Sequence, residues 1–260
     1  MTGQPEAQAR ESLAGRVALI TGAGVGIGRA TALAMARAGA TIGVHYHTSE
    51  GAARDTAETI RAMGRTAHVL PGDLSLEADA SRVVDQLVAA AGRLDVLFNN
   101  AGSPIRMTPI ADCPTELWRR VFDVNVTSAF FVTRRAIPHL KATGKGAIIN
   151  NLTLSIQTGG SGGGGVYAAA KGALQVMTRT LAKELAPQVR VNGIMPGVIA
   201  TAHHETFSTP AKMAEYVKAT PLARNGVAEE VADVVLFLAS DASRFMTGAL
   251  LDVNGGRFLR

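Results

Sequence analysis

The sequence predicts an α/β fold: one parallel sheet of about seven strands with helices on both faces. Three observations lead there. Short apolar runs alternate with helical stretches along the whole chain, as repeated β-α-β units require. Glycine and proline fall where those runs end and loops begin. No linker or internal repeat breaks the alternation, so residues 13–260 read as one domain behind a polar tail, residues 1–12.

The first strand is Arg16-Val17-Ala18-Leu19-Ile20. A glycine-rich turn leads into a helix from Gly28 to Ala38, which Gly39 stops. Thr41 to Tyr46 is the second strand, and Glu50 to Met63 a helix ended by Gly64. Thr66 to Leu70 is the third strand, closed by Pro71-Gly72. Leu76 to Ala91 is helical, and Leu94 to Phe98 is the fourth strand. Thr115 to Leu140 carries one or two helices. Ala147 to Ser155 is a strand, Val166 to Ala186 a long helix stopped by Pro187, and Val189 to Met195 a strand. Val227 to Ser240 is a helix, and Ala249 to Val253 the last strand.

Composition narrows the function classes. At 47% apolar and 18% charged residues, the 260-residue chain is globular and not disordered. No apolar run approaches the ~20 residues that span a bilayer, and the polar start, Met1 to Ser12, lacks the apolar core of a secretory signal. A single cysteine, Cys113, permits no intrachain disulfide, which agrees with a reducing, cytoplasmic setting. The formal charge of +5 is spread in pairs such as Arg119-Arg120 and Arg134-Arg135. Solvated helix faces account for those pairs better than a nucleic-acid footprint does. His203-His204 lacks a third ligand at metal-site spacing, so no metal is expected.

Two segments carry chemistry. Thr21-Gly22-Ala23-Gly24-Val25-Gly26-Ile27-Gly28 sits between a strand and a helix. Glycines there let the backbone approach a pyrophosphate, and the helix N-terminus favours an anion. This is the Rossmann context, with one residue more than usual before Gly28. Tyr167 and Lys171 stand four apart in a helical stretch, one turn apart on one face. A nearby ammonium favours phenolate, so Tyr167 is a candidate acid or base.

The turn Thr-Gly-x-x-x-Gly-x-Gly resembles that of the short-chain dehydrogenase/reductases. Further motifs match in order: Asp73 after the third strand, Asn99-Asn100-Ala101-Gly102 after the fourth, Asn125 mid-chain, Tyr167-x-x-x-Lys171, Pro196-Gly197 with Thr201 beyond, and Asn254-Gly255-Gly256. The resemblance runs from about Leu13 to Gly256. It implies hydride transfer between a nicotinamide cofactor and a carbonyl or secondary alcohol, with Tyr167 passing the proton. Lys171 would lower the tyrosine pKa and hold the nicotinamide ribose, and Asn125 would hold a water linking Lys171 to solvent.

The resemblance also implies cofactor contacts from the turn (Thr21, Gly22, Gly24, Val25, Gly26, Ile27, Gly28) and from Tyr46, His47 and Thr48. Asp73 and Leu74, Asn100, Ala101 and Gly102, and Pro196, Gly197, Ile199 and Thr201 would complete them, beside Tyr167 and Lys171. The family's substrate-polarising serine stands thirteen residues before the tyrosine, which here is Leu154. Aligning Gly146 to Thr153 with the family's strand places Thr153 in that role, with Ser155 in reserve and one extra residue in the Ser161–Gly165 stretch. Strand alternation puts Thr153 and Ser155 on one face and Leu154 on the other.

No Asp or Glu ends the second strand (Val44-His45-Tyr46-His47-Thr48), so NADP(H) is favoured over NAD(H). Against this, Val25 stands where many NADP users place a basic residue. Arg54 is a further candidate for the 2′-phosphate. The segment from Val198 to Leu222 would form a lid, with His203, His204, Phe207, Met213 and Tyr216 in it. Its apolar, partly aromatic character suggests an alcohol or ketone with a hydrophobic part, ahead of a sugar acid. An imine or activated alkene is the alternative acceptor, and a non-catalytic scaffold ranks below both. The resemblance implies a homotetramer or homodimer.

Overall fold

Seven strands carry the apolar runs: β1 (Val17–Ile20), β2 (Thr41–Tyr46), β3 (Ala67–Pro71), β4 (Val96–Asn99), β5 (Gly146–Asn151), β6 (Val189–Pro196) and β7 (Leu250–Val253). The computed structural model describes residues 12–201 and 206–259. The strands form one sheet in the order β3-β2-β1-β4-β5-β6-β7, with every neighbouring pair parallel. The order reverses between β1 and β4. Connections leave in opposite directions there and open a crevice at the carboxyl ends of the strands.

The helices are α1 (Gly26–Arg37), α2 (Glu50–Ala62), α3 (Glu77–Ala91), α4 (Thr115–Phe122), α5 (Ser128–Ala142), α6 (Ser155–Thr158), α7 (Gly165–Glu184), α8 (Pro210–Lys218) and α9 (Ala228–Ala239). Alternate strand residues serve opposite faces. Ala18 and Ile20 of β1 join Ile42 and Val44 in a core beneath α1, α2 and α9. Val17 and Leu19 join the opposite core beneath α3, α5 and α7. With both faces covered, the strands read as nearly unbroken apolar runs. Inside, Asn99 Nδ2 donates to Thr133 Oγ1 (2.9 Å) and Asn150 Oδ1 (2.8 Å), and Asn150 Nδ2 donates to Thr178 Oγ1 (2.8 Å). That chain fixes β4 and β5 to α5 and α7.

One place differs from the sequence expectation, and two others take a form that the sequence left open. The strand expected to reach Ser155 ends at Asn151. Backbone pairing to β6 continues through Leu152 and Leu154, but Leu154 already has helical dihedrals and Thr153 Oγ1 accepts from Ser155 N–H at 3.1 Å. The chain turns into α6 at Leu154, so the alternation that set Thr153 and Ser155 apart from Leu154 does not apply. The mid-chain helix is broken into α4 and α5 by a π turn over Asp123–Thr127 that contains Asn125. In the expected lid, α8 forms because Thr209 Oγ1 accepts from Lys212 N–H at 3.2 Å and Pro210 opens the helix. The expectations for His203 and His204, and for the tail before Ser12, fall outside the described residues. Among the described residues no helix is long and apolar enough to cross a membrane.

Candidate active site

The site grows from turns at the carboxyl ends of the strands. After β1, Gly22 and Gly26 take φ of 64° and 53°, which glycine reaches without strain. A Cβ on Gly28 would lie 2.1 Å from the Gly22 carbonyl oxygen and 2.6 Å from Asn100 Nδ2. Only glycine lets α1 close on this turn. No side chain caps α1 at Val25, and Val25, Gly26 and Ile27 line the cavity. An open helix N-terminus of this kind favours an anion.

Thr21 lies beneath the turn and does not line the cavity. Its Oγ1 accepts from the Asn100 and Ala101 N–H groups, each at 2.9 Å. Asn100 Nδ2 donates in return to the Thr21 and Gly22 carbonyls at 2.9 and 3.1 Å. These bonds lock the turn after β1 to the turn after β4.

His45 supports the same turn from below. Its Nδ1 accepts from Gly22 N–H at 3.1 Å, and Nε2 stands 3.1 Å from the Gly72 carbonyl. Donation to that carbonyl places the proton on Nε2 and leaves Nδ1 to accept. Burial holds the imidazole pKa down to about 4. The unfolded chain therefore binds a proton, between pH 6.5 and about 4, that the fold refuses. Stability falls as pH drops through that window, by roughly 3 kcal/mol at 1.36 kcal/mol per unit. Urea unfolding at pH 7 and pH 4.5 should show His45→Gln losing much less stability on acidification than the parent. An equal loss in both proteins would remove His45 from the account.

Lys171 is 1% exposed. Its Nζ donates to the Asn151 carbonyl at 2.8 Å and lies 5.8 Å from the centroid of the Tyr167 ring. Burial lowers the ammonium pKa to about 8, and burial also pushes the Tyr167 phenol upward. This corrects the expected downward pull on Tyr167. Burial is the cause of the rise, and the Lys171 ammonium is turned toward the Asn151 carbonyl. A Cβ on Gly102 would lie 3.0 Å from Nζ and 2.5 Å from Asn125 Oδ1, so glycine is required where these groups converge. Asn125 is fully buried and does not line the cavity. Its Nδ2 donates to the Ser103 and Val121 carbonyls (2.7 and 2.8 Å), and its Oδ1 accepts from Ser103 N–H (3.1 Å). The side chain clamps the loop after β4.

One cavity of about 800 Å³ joins these parts. Gly22, Gly24, Asn100, Ala101, Gly102 and the ends of β2 and β6 (Tyr46, His47, Thr48, Pro196, Gly197, Ile199, Thr201) all line it, with Thr153, Ser155, Tyr167 and Lys171. Among the described residues no carboxylate does. Gly28, Asp73 and Leu74 stay off the wall, as Thr21 and Asn125 do. Asp73 accepts from the Ser75 amide (3.0 Å) and hydroxyl (2.6 Å) and stands 3.8 Å from His47 Nε2 and 3.5 Å from Arg120. Burial works against its charge, yet Ser75, His47 and Arg120 hold the carboxyl below its usual range. Arg54 pairs with Glu50 one turn away at 2.7 Å and is not part of the wall.

The cavity fits a dinucleotide: a glycine turn closed tightly at Gly24 and Gly28, an open helix end, and a polar wall at β2. Sequence reasoning missed Asn151, whose carbonyl receives Lys171, and Arg257, which lines the cavity just after the Asn254-Gly255-Gly256 turn. That turn was the available signal for Arg257.

Residues 22–257 match a family model described as enoyl-(acyl carrier protein) reductase. The chain is 37% identical to the cyclopentanol dehydrogenase of Comamonas sp. (strain NCIMB 9872), over 93% of this chain and 96% of that protein. It superposes with TM-score 0.89 and 31% identity on a short-chain dehydrogenase/reductase from Brucella melitensis, covering 96% of this chain and 100% of the other. It superposes with TM-score 0.90 and 32% identity on a 7α-hydroxysteroid dehydrogenase complexed with NADH and 7-oxo glycochenodeoxycholic acid, covering 96% of each. Seven parallel strands, the glycine turn and these matches together place the chain in the short-chain dehydrogenase/reductase family of oxidoreductases.

Proposed function

We propose that the chain interconverts a ketone and a secondary alcohol, with Tyr167 as the proton donor and acceptor and NADP(H) as its cofactor. One observation carries the reading: a single cavity joins the glycine turn to Tyr167, Lys171 and the Thr153 hydroxyl. A bound nicotinamide supplies or takes the hydride. The chain does the rest. Tyr167 moves the proton at the substrate oxygen. Thr153 Oγ1 already accepts from Ser155 N–H, so its O–H is left to donate to the same oxygen, with Ser155 in reserve. Lys171 keeps a positive charge beside the tyrosine, and Asn125 positions the loop that covers Lys171. Cyclopentanol and a 7-oxo bile acid, in the descriptions of two relatives, are an alcohol and a ketone of this class.

NADP(H) is favoured because Tyr46, His47, Thr48 and Ser49 form the β2 end of the wall without a carboxylate, so nothing there repels a 2′-phosphate. Initial rates with each nucleotide and a panel of ketones test both parts. The KM for NADPH should be several-fold below that for NADH. A clear NADH preference, the nucleotide seen in the steroid relative, would overturn the cofactor choice. An imine and an enoyl thioester belong in the panel, because the matched family model is described as an enoyl reductase. Turnover of the thioester alone would replace the carbonyl reading. Tight NADPH binding with no turnover would favour a scaffold.

A further inference from the structure

We propose that Arg257 makes this pocket select substrates bearing a carboxylate remote from the reacting carbonyl, an inference that rests on the ketone–alcohol reading of the same site. Arg257 stands in the turn after β7. Asn254 builds that turn: its Nδ2 donates to the Phe258 carbonyl at 3.1 Å and its Oδ1 accepts from Gly256 N–H at 2.9 Å. Backbone bonds hold the turn against the active-site edge, from Gly197 N–H to the Val253 carbonyl (3.0 Å) and from Leu222 N–H to the Gly255 carbonyl (3.2 Å). The Arg257 guanidinium carbon then lies 4.4 Å from the centroid of the Tyr216 ring on α8. Both side chains line the main cavity.

A guanidinium held over an aromatic ring is attracted to the ring face. Among the described residues the N–H groups of Arg257 make no ion pair and no side-chain hydrogen bond. Those groups match the two oxygens of a carboxylate. The other cations nearby are engaged: Lys212, 5.5 Å from the same ring, pairs with Glu215 at 2.9 Å, and Lys171 donates to Asn151.

Position rules out the cofactor's 2′-phosphate as the partner. β2 and β7 stand five strand spacings apart in the sheet, about 24 Å at the usual separation. The nucleotide half of the cavity ends at β2. Arg257 therefore sits past the strand end that carries Thr153, on the substrate side. Met107, Leu154 and Phe207 add apolar wall. The matching ligand is an oxo or hydroxy acid whose apolar body separates its two polar ends.

An acid and its ester test this. With 4-oxocyclohexanecarboxylate and its methyl ester, kcat/KM for the acid should exceed that for the ester about tenfold or more, chiefly through KM. Arg257→Met should bring the ratio near one, and Arg257→Lys should restore part of it. Equal values in the parent protein, or equal falls for both substrates in Arg257→Met, would overturn the proposal. Calorimetric binding to the enzyme–NADP⁺ complex gives a readout free of turnover. Cyclohexanecarboxylate should bind more tightly than cyclohexanecarboxamide in the parent and not in Arg257→Met, while NADP⁺ affinity certifies the variant's fold. No preference in the parent sinks the role of Arg257. If neither ketone is reduced, the ketone panel decides the carbonyl reading, and calorimetry still decides Arg257.

Discussion

Tyr167→Phe should lower kcat by about 10²- to 10⁴-fold while the dissociation constant for NADPH stays within a few-fold of the parent value. Phenylalanine keeps the ring that packs in the small cluster with Val121, Val166 and Ala170. Only the hydroxyl leaves, so α7 and the fold have no reason to change. The substrate oxygen then loses its proton partner, and the hydrogen bond from Thr153 cannot replace a proton. Stopped-flow rates with saturating NADPH separate the chemical step from binding. Turnover within threefold of the parent would remove Tyr167 from the centre of the reaction.

Lys171→Met should cost about 10²- to 10³-fold in kcat/KM, the scale of losing one preorganised charge in a water-poor site. Methionine matches the length of the stem and leaves the Asn151 carbonyl without its donor. Stability should move differently. Folding lowers the ammonium pKa from 10.5 to about 8, so the unfolded chain binds more protons between those values. The parent therefore gains stability as pH rises from about 8 to 10.5, and the cost of the buried charge is full below 8. The Met variant lacks this rise. Urea unfolding at pH 7.5 and 10 would show it, and parallel curves for the two proteins would mean that Lys171 is not desolvated.

Most of the fold was legible because both sheet faces are covered. Runs such as Val17–Ile20 and Val189–Pro196 are apolar at nearly every position, and glycines such as Gly39 and Gly64 fall where helices stop. The glycine turn and the Tyr167–Lys171 spacing also carried over, since each depends on a few adjacent residues. What escaped depends on contacts between distant segments. The strand into Thr153 reads as extended, but the chain turns into α6 at Leu154. The carboxylate of Asp73 gathers Ser75, His47 and Arg120 from segments far apart in sequence, which no local motif shows. The direction of the Tyr167 shift followed from burial, which a four-residue spacing does not report. Arg257 reaches the cavity only because β7 lies beside β6, a pairing across more than fifty residues of sequence.

The proposed chemistry requires one cavity that holds a dinucleotide on the glycine turn and ends at Tyr167. A crystal structure of the protein soaked with NADP⁺ tests it most directly. The pyrophosphate should lie over Gly22–Gly28 at the start of α1, the adenosine end against Tyr46–Ser49, and the nicotinamide beside Tyr167 and Lys171. A nucleotide bound elsewhere, or one whose nicotinamide points away from Tyr167, would contradict it.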